Sequence, residues 1–388
     1  MMLSRDNRGR FADWWWTVDR VALFAMLGLV AIGMMLAFAA SPAATAHNTM
    51  EAGNFRFAGK QILFGMIAVV IMAGGSLLSP RNLKLTATAV FALALAGSAL
   101  VLVTGAEVLG AKRWIDLGWI TIQPSEFLKP AFAVVCASVL SSKLEGHPAK
   151  ELISFILVLI PLALLILEPD VGQTGLLLAV WGAMLFLNGV SLLWMAAITG
   201  IGTALGGMAF VLLPHVHHRM DQFMGGGKPG YQSALALRAF EHGGIAGVGP
   251  GAGTIKYHIP YAHSDFIFAV AGEEFGLVLC AVIAALFCLL TVRLLLRAAA
   301  ARDKFSQLAG AGLAMIVALQ AFINMGVAVN MLPAKGMTLP FISYGGSSLF
   351  AVAVTMGFAL AVTRQRPAVT TLSRRETDSL FGLREART

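Results

Sequence analysis

Asp265 directly precedes the apolar run Phe266-Ile267-Phe268, so it stands where a membrane-embedded helix begins. Two compatible roles fit that place. Its carboxylate caps the helix N-terminus, a sufficient reason for an Asp and the reading that spacing alone favours. Alternatively, it sits half desolvated at the outer mouth of the membrane, suited to removing a proton from a sugar hydroxyl. Glu126 and Lys129 are three residues apart on one predicted helix. They share a face and neutralise each other where a lone charge is costly. They form either a structural ion pair or part of a cationic group, with Lys112, Arg113 and Lys335 from other outer loops, able to hold a pyrophosphate. Arg113 is equally readable as a solvated pair with Asp116. Glu273 and Glu274 fall about two turns inside a span, so at least one faces protein or a wet cavity.

Other reactive residue types carry less. The run Gly243 to Thr254 lacks a G-K-[ST] ending and follows no predicted strand, which argues against a nucleotide phosphate loop. It reads as tight backbone packing at the membrane surface, with an anionic lipid headgroup on its N–H groups as the alternative. His215, His217, His218, His258 and His263 match no zinc spacing and read as surface or interfacial residues. Cys136, Cys280 and Cys288 lie in predicted spans as small packing residues.

The elements that must position these residues are membrane helices. The 388 residues are 58% hydrophobic and 12% charged, with a mean hydropathy of +0.79, which excludes a soluble domain, a disordered chain and a coiled coil. A hydrocarbon core of about 30 Å takes about 20 helical residues. Six nearly charge-free windows of that order run over 21–40, 61–78, 85–104, 190–213, 308–332 and 347–363. Windows 152–167 and 172–189 flank the charged, proline-containing corner Glu168-Pro169-Asp170. Windows 125–142 and 266–292 carry Glu126 with Lys129 and Glu273 with Glu274. The expected fold is therefore an all-α polytopic membrane protein of about ten transmembrane helices. Its domains would be a tail at 1–20, a transmembrane domain at 21–363 and a tail at 364–388. A large extracytoplasmic loop at about 214–265, between the seventh and eighth helices, is the expected seat of function. Of the 28 Lys and Arg, 18 fall on the side of the termini with 9 of the 20 acids, a net +9 there against −1 elsewhere. Both termini are thus expected in the cytoplasm, and the formal +8 reads as orientation rather than nucleic-acid binding. The first span lacks an A-x-A-like cleavage site and reads as retained.

Four blocks resemble the SEDS (shape, elongation, division, sporulation) family over about 20–364. They are Lys112-Arg113-Trp114-Ile115 with Gln123 to Lys129; Glu168-Pro169-Asp170-Val171-Gly172; Tyr257 to Ala269 followed by Gly272-Glu273-Glu274-Phe275-Gly276; and Leu339 to Ser348. Lys335 within Leu332 to Pro340, and Lys256-Tyr257, resemble the division member more than the elongation member. The resemblance implies a ten-helix peptidoglycan glycosyltransferase that polymerises lipid II, an undecaprenyl-pyrophosphoryl disaccharide-pentapeptide, at the outer face of the cytoplasmic membrane. By position in the motif, Asp265 is the implied catalytic carboxylate, a general base on the acceptor's GlcNAc 4-hydroxyl. Lys129, Arg113 and Lys335 would stabilise the leaving pyrophosphate, with a divalent Mg or Mn ion as a candidate helper. Glu126 would orient Lys129, and Lys112 and Ser343 join the implied substrate-binding set. Implied partners are a class B penicillin-binding protein transpeptidase of the FtsI type, other division proteins and membrane lipid, at the division septum.

A lipid II flippase is the rival reading, since intramembrane charges and the broken corner at Glu168 to Asp170 suit transport. Placement of Asp265 and most of the cations at the outer mouth rather than the midplane argues for the enzyme. The elongation-type polymerase and a scaffold that recruits a transpeptidase are further alternatives. Asp13-Trp14-Trp15-Trp16 reads as an interfacial aromatic anchor, and 364–388 as a basic cytoplasmic end.

Overall fold

The computed structural model describes residues 10–45, 56–108, 111–118, 120–142, 149–191, 231–333 and 336–365, with scattered positions between 193 and 211. Backbone groups in hydrocarbon must be paired within their own segment, so these apolar stretches become long helices. They are α1 (Arg10–Thr17), α2 (Arg20–Thr45), α3 (Arg56–Ser76), α4 (Pro80–Thr104), α5 (Pro124–Leu140), α6 (Ala149–Leu167), α7 (Val171–Asn188), α8 (Tyr231–Gly243), α9 (Ile267–Ala299), α10 (Lys304–Ala328) and α11 (Gly346–Thr363). Eight of them, α2, α3, α4, α6, α7, α9, α10 and α11, are long and apolar enough to cross a membrane. Helix α5, at 17 residues, is shorter than these, and the window 190–213 lies mostly outside the described residues.

The chain divides into two compact units. In the unit formed by 1–17 and 364–388, Arg364 Nε and the Gln365 amide donate to Thr17 Oγ1 and Thr17 O at 3.0 and 3.1 Å. The unit 18–363 holds every other element. Within it α11 packs against α3, α5 and α10, and α3 crosses α11 so closely that a Cβ on Gly75 would lie 3.1 Å from Gly357 Cα. Asp19 caps α2 through the Ala22 amide and receives Arg293 and Arg297 at 2.8 and 2.5 Å, which ties the start of α2 to the last turns of α9. Burial alone would raise its carboxyl, but the Ala22 N–H and the two guanidinium groups outweigh burial and hold it below the usual carboxylate range.

An all-α fold needs one correction. Residues 106–122 contain a three-stranded antiparallel sheet, β1 (Ala106–Val108), β2 (Ala111–Asp116) and β3 (Thr121–Ile122), in the order β1-β2-β3. Ala106 faces Trp114 and Ile115 faces Ile122. Hydropathy windows are blind to such a feature, because it answers a local need: a short connection must pair its own backbone N–H and C=O groups.

Helix α9 is two helices in one. Gly276 has φ 73° and ψ −176°, which breaks it into 267–275 and 277–299. The glycine run repairs the break. The Val248 and Gly249 amides donate to Glu273 O and Glu274 O at 3.0 Å each, and Leu277 N donates to Gly244 O at 3.0 Å. A Cβ on Gly276 would stand 2.2 Å from Ile245 O, so only glycine fits.

Candidate active site

The segment that delivers Asp265 is buried and strapped down. Residues 267–274 of α9 are all buried, and the turns before them, from Tyr261 to Phe266, carry the aspartate. Phe266 holds the N-cap position and Asp265 stands one residue ahead of it, half-buried. Its amide donates to Tyr261 O at 3.0 Å and its carbonyl accepts from Asn324 Nδ2 of α10 at 2.9 Å. Asp265 lines a pocket with Gln232 of α8, Asn324, Gly336 and Met337. Gly336 turns there at φ 57°, and its backbone passes close to the Asp265 carboxylate.

Residues 337–344 are stitched to the same wall. The Ser343 hydroxyl accepts from Leu339 N at 2.7 Å and donates to Ser264 O at 2.5 Å, and Tyr344 N donates to His263 O at 2.9 Å. His263, ringed by Phe57 and Tyr344 at 5.3 and 5.6 Å, is held below its usual imidazole range by burial and serves as packing.

Lys129 and Glu126 are both buried and paired at 2.7 Å. Lys129 Nζ also donates to Gln320 Oε1 of α10 at 3.2 Å, and Gln320 Nε2 donates to Thr338 O at 3.1 Å. On its other side Glu126 accepts from Gln173 of α7. A polar chain therefore runs from α7 through Glu126, Lys129 and Gln320 to Thr338, one residue from Met337 of the Asp265 pocket. Gln320 of this polar chain and Asn324 of the pocket both escaped the sequence reading. Their signal was present: two amides at i and i+4 share one face of an otherwise apolar span.

Arg113 points elsewhere. Its Nε and Nη2 donate to Glu168 O and Pro169 O at 2.9 and 2.5 Å, with Nη1 3.9 Å from Asp170 Oδ2. It is neither a pair with Asp116, which turns back to the Gly118 amide at 2.8 Å, nor beside Asp265. Asp170 caps α7 by accepting from Gln173 N at 3.2 Å, so the corner joins the same polar chain. Burial pushes the Asp170 carboxyl up, opposed chiefly by Arg113. Burial, with Asp170 adding to it, pushes Glu168 up to about 7. Lys112 lies half-buried on β2; Lys335 lies outside the described residues, as do His215, His217 and His218.

Glu273 and Glu274 are fully buried and face protein. Glu273 takes the Thr254, Ile255 and Lys256 amides at 2.8, 2.7 and 2.9 Å, and His242 Nδ1 at 3.0 Å. Glu274 pairs with the buried Lys256 and accepts the Gly251 amide at 3.1 Å. The Gly251 and Thr254 amides of the glycine run thus meet carboxylates of the chain itself rather than a lipid headgroup. Among the described residues no group of three or more His, Cys, Asp or Glu side chains converges on a metal position.

Residues 20–367 match the family model of the FtsW/RodA/SpoVE cell cycle proteins. The chain is 41% identical to a protein of Caulobacter vibrioides named "Probable peptidoglycan glycosyltransferase FtsW", over 94% of each chain. It is 32% identical to the protein of that name from Trichlorobacter lovleyi, over 89% of this chain and 93% of the relative. Among solved structures, it superposes on one chain of a peptidoglycan synthase complex, described for its coordination of polymerization and crosslinking, with a TM-score of 0.74. That match has 25% identity and covers 89% of this chain and 97% of the other. The rod shape determining protein RodA of Thermus thermophilus superposes with a TM-score of 0.67 at 26% identity, over 91% and 99% of the two chains.

Proposed function

This chain belongs to the FtsW/RodA/SpoVE family of cell cycle proteins, and from that membership and the geometry above we propose how it acts. It is a multi-pass membrane enzyme, a peptidoglycan glycosyltransferase of the FtsW type. In the proposed reaction it joins lipid II disaccharides into glycan strands at the outer face of the cytoplasmic membrane, at the division septum. It works there with a class B penicillin-binding protein and other division proteins. Ten spans with both termini cytoplasmic fit the described contacts: Asp19 with Arg293 and Arg297, and Lys304 with Leu187 O, gather one set of helix ends, while Arg113 with the 168–170 corner gathers the other. The tails at 1–20 and 364–388 then lie on the basic, cytoplasmic side.

The observation that carries the reading is the link between two places: Asp265 at a solvent-reachable pocket, and Lys129 joined through Gln320 to Thr338, the chain neighbour of Met337 in that pocket's wall. The Asp265 carboxylate takes the proton of the acceptor GlcNAc 4-hydroxyl as that oxygen bonds to the donor's anomeric carbon. The bond from that carbon to the pyrophosphate oxygen breaks, and its electron pair leaves with the lipid pyrophosphate. The proton passes from Asp265 to water. Lys129, oriented by Glu126, supplies positive charge toward the departing oxygen, with Lys335 and Lys112 as further donors and Ser343 shaping the wall. Arg113 acts at a distance by setting the Glu168-to-Asp170 corner against Gln173 and Glu126.

The test is glycan-strand formation from purified lipid II by the chain with its cognate transpeptidase. Wild type is expected to form polymer, and Asp265→Ala is expected to form none while purifying in normal yield. Full activity in the variant refutes the assignment. Polymer from neither, with lipid II still crossing liposomes, moves the function to the flippase.

A further inference from the structure

The Asp265 pocket has a volume of about 20 Å³, room for one water-sized group rather than a sugar ring. Asn324, 1% exposed, is one of its walls. Both Nδ2 protons of Asn324 are spent, on Asp265 O at 2.9 Å and Met337 O at 2.6 Å. That fixes which way the amide points, because the reversed amide would set Oδ1 against two carbonyl oxygens. Oδ1 is then left buried with no hydrogen-bond partner among the described residues. A buried amide oxygen is costly to leave unmatched, so Asn324, a wall of this pocket, is short of one donor.

We propose that Asn324 is a substrate-contacting residue: its Oδ1 accepts a hydrogen bond from the acceptor sugar's hydroxyl next to the attacking one. This rests on the glycosyltransferase reading and deepens it. The attacking 4-hydroxyl has a single proton and gives it to Asp265, so it cannot also satisfy Asn324. The neighbouring 3-hydroxyl carries its own proton and is small enough for the pocket. Because Nδ2 of the same amide holds the Asp265 carbonyl, one side chain sets both the base and the sugar it acts on. Acceptor recognition and base placement are thereby coupled.

The experiment measures polymerisation by the complete chain with its transpeptidase, on lipid II and on lipid II whose GlcNAc lacks the 3-hydroxyl, for wild type and Asn324→Ala. That hydroxyl is one sugar away from the donor's reacting carbon, so its removal reports on the acceptor. Wild type is expected to lose about ten- to a hundredfold in kcat/KM on the deoxy substrate. Asn324→Ala should lose at least that factor on natural lipid II, because it also releases the Asp265 carbonyl, yet be indifferent to deoxygenation within about threefold. If the two losses multiply, Asn324 does not touch that hydroxyl and the proposal is overturned. Should Asn324→Ala fail to fold, the wild type decides alone: a loss below about threefold on the deoxy substrate means that the pocket holds no such hydroxyl. A wild type that forms no polymer from natural lipid II overturns the glycosyltransferase reading, and this proposal with it.

Discussion

Lys129 with Glu126 on α5, and Lys256 with Glu274 beside the break in α9, are the same chemistry, a buried lysine against a buried glutamate, in unlike surroundings. Around Lys256 the partners are largely backbone. Lys256 Nζ donates to Ala39 O at 2.8 Å, Glu274 accepts the Gly251 amide, and the neighbouring Glu273 accepts three more amides. Backbone groups cannot turn away, so this pair fastens the glycine run and α2 onto the short helix that follows the Asp265 turn. Around Lys129 the partners are side-chain amides from other helices, Gln173 and Gln320. Amides on rotatable stems can exchange partners, and among the described residues Lys129 uses two of its three N–H donors. The same ion pair is thus a rivet in one place and an adjustable relay in the other, and what decides is whether backbone or side chain surrounds it.

The sharpest way to break this contrast is to strand the Lys256 charge. Glu274→Ala leaves a buried ammonium unpaired and is expected to destabilise the protein by about 3–5 kcal/mol, read as a lowered Tm and a loss of folded yield. Replacing both partners removes the charge problem and separates the roles. Lys129→Met with Glu126→Gln should stay folded and lose polymerisation by about a hundred- to a thousandfold, whereas Lys256→Met with Glu274→Gln should keep polymerisation within about fivefold. Equal losses in the two double variants would erase the distinction.

A smaller effect probes the far end of the relay, where Arg113 meets Glu168. Glu168 ordinarily titrates near 4.5 and is pushed up to about 7, by burial first and then by Asp170. A raised folded value means that its contribution is complete below about pH 4.5 and is lost as pH rises through about 7. Glu168→Gln, neutral throughout, should therefore gain on wild type by about 2.5 kcal/mol between pH 5 and pH 8. A difference in unfolding free energy that stays flat over that range means the carboxyl does not hold its proton.

Much of this was legible beforehand, for reasons that particular residues show. The spans were readable because hydropathy sums over a window and does not depend on what the window touches; 308–332 and 347–363 became α10 and α11 with ends shifted by a few residues. That Glu126 and Lys129 neutralise each other was readable because i and i+3 meet on any helix. Arg113 was not, because its partners at 168–170 lie 55 residues and more away and only packing brings them near. The glycine run was half legible. Tight packing was expected, but that it heals a broken helix required knowing that Gly276 leaves the helical region.

Composition, charge asymmetry and the four motif blocks by themselves determined a polytopic membrane protein of this family, with Asp265 at the head of a helix. These depend on sums over local sequence or on residue identity at short spacing. Tertiary structure alone decided that Gln320 bridges Lys129 to Thr338, that Asn324 holds Asp265 and keeps an unmatched oxygen, and that Lys256 is a rivet. The physical reason is angular: a residue's direction on a helix turns by about 100° per position. Polar groups from distant segments meet only where several helices are rotated and placed within hydrogen-bond reach, about 3 Å.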